Sequence, residues 1–119
     1  MKKAIAPLLH ARARVGAACA LTVAVGLYFL LSGQPIAVGL LGAYDKLGHL
    51  TVYAGITGLL WLASGGGRPG LVFGAVALMG VTDEWYQSLL PGRVADVADF
   101  VTDVAACAMT LLLLSRAAR

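Results

Sequence analysis

Apolar residues in this chain come in long runs, and polar residues gather where those runs meet. A membrane-crossing helix needs about 17–25 mostly apolar residues. Residues 15–31 carry no charge and fit that length. Ser32, Gly33, Gln34 and Pro35 then predict a break. Residues 36–44 are apolar but too few to cross, so they predict a segment at the interface or re-entering shallowly. A second span is expected from Asp45 to Ala63, followed by a turn over residues 64–69 that holds three consecutive glycines and a proline. A third runs from Gly70 to about Leu90, interrupted late by Asp83 and Glu84. Pro91 and Gly92 mark the next turn, and a fourth span runs from about Val94 to Ser115. The expected fold is all-α: a polytopic membrane protein built as a four-transmembrane-helix bundle. Residues 1–14 form a basic cytoplasmic segment, residues 15–115 the transmembrane domain, and residues 116–119 a cytoplasmic tail. No internal repeat is visible.

Composition strengthens this reading. The 119 residues are 60% hydrophobic and 13% charged, with a mean hydropathy of +0.85. Soluble domains average about 25% charged residues, and a water-soluble fold this small could not hide so much apolar surface. The basic stretch ahead of the first run resembles the start of a signal peptide. The run is longer than the usual core of about 7–15 residues, and no small-residue cleavage site follows, so it reads as a retained helix.

Cationic positions orient the chain. With the amino terminus inside, Lys2, Lys3, Arg12, Arg14, Arg68, Arg116 and Arg119 lie on the inner side, and Lys46 and Arg93 on the outer. Seven against two satisfies the positive-inside rule and places both ends in the cytoplasm. These groups sit at helix ends and not on one soluble face, which excludes nucleic-acid binding. Cys19 and Cys107 fall inside apolar runs and read as small buried hydrophobes, not as a disulfide framework.

The acids form a separate pattern. Asp45, Asp83, Glu84, Asp96, Asp99 and Asp103 all lie towards the outer side, although acids contribute little to topology. Asp45, His49 and Tyr53 recur every four residues and share one helix face. Glu84 and Gln87 share a face of the third helix, with Asp83 turned roughly 100° from Glu84. Asp96, Asp99 and Asp103 line the fourth, and Asp103 lies about 10 Å deeper than Asp96. Ionisable groups at bilayer depth cost about 2.5–3.5 kcal/mol each, face the bundle interior and find partners. His49, Glu84, Gln87, Arg93 and Asp99 are therefore expected to converge on one outer-side cavity. Six acids against Lys46 and Arg93 leave three outcomes open: protonated acids, hydrated acids, or a bound divalent cation.

Each element also has a plain structural reading. Asp45 caps a helix, His49 packs helices together, and Arg93 fixes the fold by pairing Asp99 or Glu84. Trp85 and Tyr86 belong to an interfacial aromatic belt. The pairs Gly55 with Gly58 and Gly74 with Gly80 permit close helix contact.

Three blocks occur in order: DKLGH with a following tyrosine (Asp45, Lys46, His49, Tyr53), TDEWYQSLLPGR (Asp83, Glu84, Gln87, Pro91, Gly92, Arg93) and DVADFVTD (Asp96, Asp99, Asp103). This combination resembles the VanZ-like membrane protein family over about residues 45–106. The family usually has Asn where this chain has Asp103 and Gly where it has Ala106, so the site here carries one more acid. The resemblance implies a bacterial inner-membrane protein of the cell envelope, in a family associated with resistance to the glycopeptide teicoplanin. It implies no catalytic mechanism.

Two classes of function follow. In the first, Lys46 and Arg93 hold an anionic envelope-lipid headgroup or another phosphate ligand, together with Asp45, Gln87, Asp99 and Asp103. His49 and Glu84 would position a proton or water as candidate catalytic groups, and a divalent cation could bridge acids and phosphate. In the second, the polar cluster is non-catalytic: it fixes helix packing and presents a surface to another envelope protein. The sequence holds neither an H-E-x-x-H metalloprotease box nor a P-loop.

Overall fold

The computed structural model describes residues 2–32 and 45–118. The expected break after the first helix and the short apolar segment 36–44 lie largely outside the described residues. Four helices make up the rest: α1 (Lys2–Ser32), α2 (Asp45–Ala63), α3 (Pro69–Ser88) and α4 (Val97–Ala117). The described residues contain no strand.

α1 runs without a break through the boundary expected at residues 14 and 15. Alanine and arginine, which dominate residues 11–14, are strong helix formers, so nothing there ends the helix. At 31 residues α1 is about 47 Å long, against about 29 Å for α2. Arg14 Nε donates to the Ala63 carbonyl at 3.2 Å and levels that point of α1 with the end of α2. The dozen residues before it lie beyond that level.

The α2–α3 turn closes where the glycines predicted it. Gly66 has φ +79°, a conformation that side chains rarely adopt, and donates its N–H to the Trp61 carbonyl at 2.9 Å. Trp61 covers it so closely that a Cβ there would lie 3.0 Å from the ring. Pro69 then opens α3, where its missing N–H costs nothing. At the opposite end α3 stops at Ser88, and α4 begins at Val97, three residues later than the hydrophobic pattern suggests. The cause is Asp96, whose Oδ1 accepts the Ala98 N–H at 2.9 Å and caps the helix.

α2 packs against α1 and α4, and α3 against α4 and more lightly against α2. An apolar cluster of Tyr53, Ile56, Val72, Val76, Ala106, Cys107 and Leu111 fills the middle. Around it the usual distribution is reversed. Leu30, Leu47, Leu78, Val101 and Leu113 are exposed, while His49, Thr57, Asp83, Gln87, Asp99 and Asp103 are buried. Two stretches, His10–Leu31 and Val97–Ala117, are long and apolar enough to cross a membrane. Only 6% of the first and 28% of the second is buried, far less than in the core helix of a water-soluble fold.

Two expectations need correction. Gly55, Gly58 and Gly74 border open space, and only Gly80 of the four marks a close contact. A Cβ at Gly80 would meet the Phe100 ring at 3.2 Å and Asp103 Oδ2 at 3.4 Å, so its absence lets α4 approach α3 beside the acids. Cys107 is buried as expected, but Cys19 is exposed on the outer face of α1. Both thiols are free.

Candidate functional site

Asp83 is one of two fully buried acids among the described residues. Its side chain is fully buried and accepts three hydrogen bonds. Tyr28 Oη of α1 donates to Oδ2 at 2.6 Å, Tyr53 Oη of α2 donates to the same oxygen at 3.0 Å, and Gln87 Nε2 donates to Oδ1 at 3.1 Å. A carboxylate offers about four acceptor positions, so the three donors nearly saturate it without a cation. The rings hold the donors in place: Tyr28 and Tyr53 meet edge to face, and Tyr53 lies parallel to the His49 imidazole with centroids 6.0 Å apart.

A second chain of contacts joins α2 to α4. His49 Nδ1 lies 2.7 Å from Asp103 Oδ1, a hydrogen bond between two buried side chains. Its Nε2 is 3.9 Å from Asp99 Oδ2. Lys46, one turn earlier on α2, donates to Asp99 Oδ1 at 2.9 Å and to Asp96 Oδ2 at 3.2 Å. The series Lys46, Asp99, His49, Asp103 thus runs from a side chain 56% exposed to one fully buried. The regular spacing on α2 and α4 produces it, because groups one turn apart on each helix meet in register.

Glu84 stands at the margin. Its Oε2 accepts the Asp96 backbone N–H at 2.8 Å and anchors the α3–α4 loop. Beside it a groove of about 220 Å³, lined by Val81, Glu84, Ala95, Asp96, Val97 and Phe100, opens between α3 and α4. Asp96, outside the helices, is held below the usual carboxylate range by the Ala98 N–H and by Lys46. Its cap therefore survives into acid solution and weakens only as pH falls through that lowered value.

Several expected site residues come together here: Lys46, His49, Gln87, Asp99 and Asp103 in the interior or its mouth, and Glu84 at its edge. Arg93 is half-buried in the α3–α4 loop, where its backbone N–H donates to the Leu90 carbonyl at 3.2 Å. Asp45 begins α2, but its side chain lies outside the described residues. The face assigned to α3 needs revision. Gln87 bonds Asp83 and not Glu84, and Asp83 occupies the interior. Projecting the apolar stripe would have found it, since Val72, Val76, Gly80, Asp83 and Gln87 follow one another by three or four residues and are all buried. Tyr28 was also missed; one tyrosine late in an apolar run gives no sign of its partner.

No family model, curated protein or solved structure matches the chain.

The geometry gives a direct expectation for Tyr28→Phe and Tyr53→Phe. Each removes one donor from a buried carboxylate, and hydrogen bonds to charged groups contribute about 1.5–3 kcal/mol. Both variants should unfold more readily in detergent titration. Thr102→Val, which removes an exposed hydroxyl bonded only within its own helix, should not. Unchanged unfolding of Tyr28→Phe would mean that Asp83 does not depend on these donors.

Proposed function

We propose that the chain is a cell-envelope membrane protein that crosses the bilayer four times. Near its outer face, its polar centre would bind the phosphate headgroup of an anionic lipid. The apolar exterior and buried polar interior support the membrane setting, because a bilayer accepts exposed Leu and Val and penalises unpartnered charge. The resemblance to VanZ-like proteins supplies the envelope setting and the link to glycopeptide resistance.

One observation carries the ligand reading: exposed Lys46 and the loop bearing Arg93 stand beside an apolar groove that reaches Glu84 and Asp96. A lipid has the matching shape, with an anionic head for the cations and a chain for the groove. Arg93 would take the phosphate by two parallel bonds and Lys46 as a point charge. His49 and Glu84 would serve a proton transfer, if chemistry follows binding.

A second reading has its own support. The three donors to Asp83 come from α1, α2 and α3, so the centre also ties the bundle together. On that reading the polar residues fix packing for contact with a partner envelope protein.

Topology is tested with reporters placed in the 64–68 turn, in the 91–94 loop and behind Arg119. The first and third should report the cytoplasm and the second the outside. A cytoplasmic signal from the 91–94 loop would end the four-span reading.

Headgroup binding is tested with purified protein in nanodiscs of varied phosphatidylglycerol content. Arg93→Lys should be made and inserted normally but bind the anionic lipid at least several-fold more weakly. If the Lys variant binds as wild type does, charge balance alone explains Arg93 and the packing reading is favoured.

A further inference from the structure

The polar centre holds more acid than its own donors satisfy. Asp83 is nearly saturated, and Asp99 has Lys46. Asp103 is fully buried, with Oδ1 on His49, yet its Oδ2 has no hydrogen-bond partner among the described residues. That oxygen faces α3 at Gly80, one turn before Asp83 and Glu84. From α3, the buried Oε1 of Glu84 likewise has no hydrogen-bond partner among the described residues. Two orphaned carboxylate oxygens on facing helices are costly in a water-poor interior. Gly80 keeps the space between the helices narrow, and no lysine or arginine enters the contacts described for either oxygen.

The geometry points to a divalent cation held by His49, Asp83, Glu84 and Asp103. One ligand atom from each of the four can be chosen so that all lie within 4.8 Å of one another. A cation bonded to oxygen and nitrogen at about 2.0–2.6 Å sets ligands on opposite sides about 4–5 Å apart, so the cluster has the required size. Asp83 keeps one acceptor position on Oδ1 for the ion, while Tyr28, Tyr53 and Gln87 fix the carboxylate as outer partners commonly do. Three carboxylates and one imidazole form a mostly hard donor set, which suits Mn²⁺ and related ions better than a thiolate-seeking metal. Such an ion offsets the surplus negative charge that would otherwise repel a phosphate near Glu84. It would add to the Lys46 and Arg93 charges of the proposed headgroup site, although the metal site stands on its own ligands and can be tested without lipid.

The test uses the full chain, stripped with chelator in a phosphate-free, uncharged detergent, and Mn²⁺ as probe. Binding is followed by electron paramagnetic resonance of free Mn²⁺ and folding by circular dichroism. Wild type should bind one Mn²⁺ per chain. Glu84→Gln, which sits at the edge of the centre, should remain folded and bind at least tenfold more weakly, and Asp103→Asn should do the same. Thr82→Val, whose exposed hydroxyl bonds back to Leu78 on the outer side of α3, should bind as wild type does. Folded wild type that takes up no stoichiometric Mn²⁺ would overturn the assignment. So would equal binding by wild type and folded Glu84→Gln. Neither outcome bears on lipid binding measured in nanodiscs, so the two readings fail separately.

Discussion

A carboxylate sealed among helices must be paired or hydrogen-bonded, and Asp83 meets that demand with donors from three helices. Much else follows from it. Tyr28 must reach from α1 and Tyr53 from α2, which fixes the rotation of both helices. Tyr53 then presents a flat ring to His49, and His49 is carried to Asp103 on α4. The order in the interior is thus set by polar geometry as much as by apolar packing. In the proposed membrane setting, helices would gain little from apolar burial against each other, so directional contacts of this kind would carry a larger share of specificity.

The centre is graded from outside to inside. Lys46 and Asp96 remain exposed, Asp99 is covered by Lys46, and Asp103 and Asp83 are fully enclosed. Asp83 accepts from three neighbours, keeps one acceptor position and ties the helices together. Asp103 and Glu84 each keep an oxygen without a partner among the described residues, so they are the groups available to a ligand. In the proposed cation site Asp83 would combine a structural and a binding role, whereas the orphaned oxygens of Asp103 and Glu84 would serve binding.

Much of this was legible in the sequence, for physical reasons. α2 begins and ends at the expected residues because its polar start and glycine-rich end are strong local signals. The meeting of His49 with Asp99 and Asp103 follows from one-turn spacings on two helices. Other features depended on tertiary context. Adjacent acids Asp83 and Glu84 compete for the inward position, and the polar residues near them do not settle it. The apolar stripe lower on α3 does, by continuing through Gly80 to Asp83. Glycine pairs in α2 and α3 looked like contact surfaces, but spacing cannot tell a helix-facing glycine from one bordering open space. Tyr28 has no local mark, since its partner lies 55 residues away.

The proposed cation site requires that Asp103 serve binding and not the fold. Asparagine there can keep one oxygen for His49 while removing the surplus charge. The direct measurement is the unfolding temperature of metal-free Asp103→Asn beside metal-free wild type, in the same detergent at neutral pH. The expected result is a variant at least as stable as wild type, because like charge beside Asp83 and Glu84 is relieved. A clear loss of stability in the metal-free variant would contradict the claim and make Asp103 a structural partner of His49.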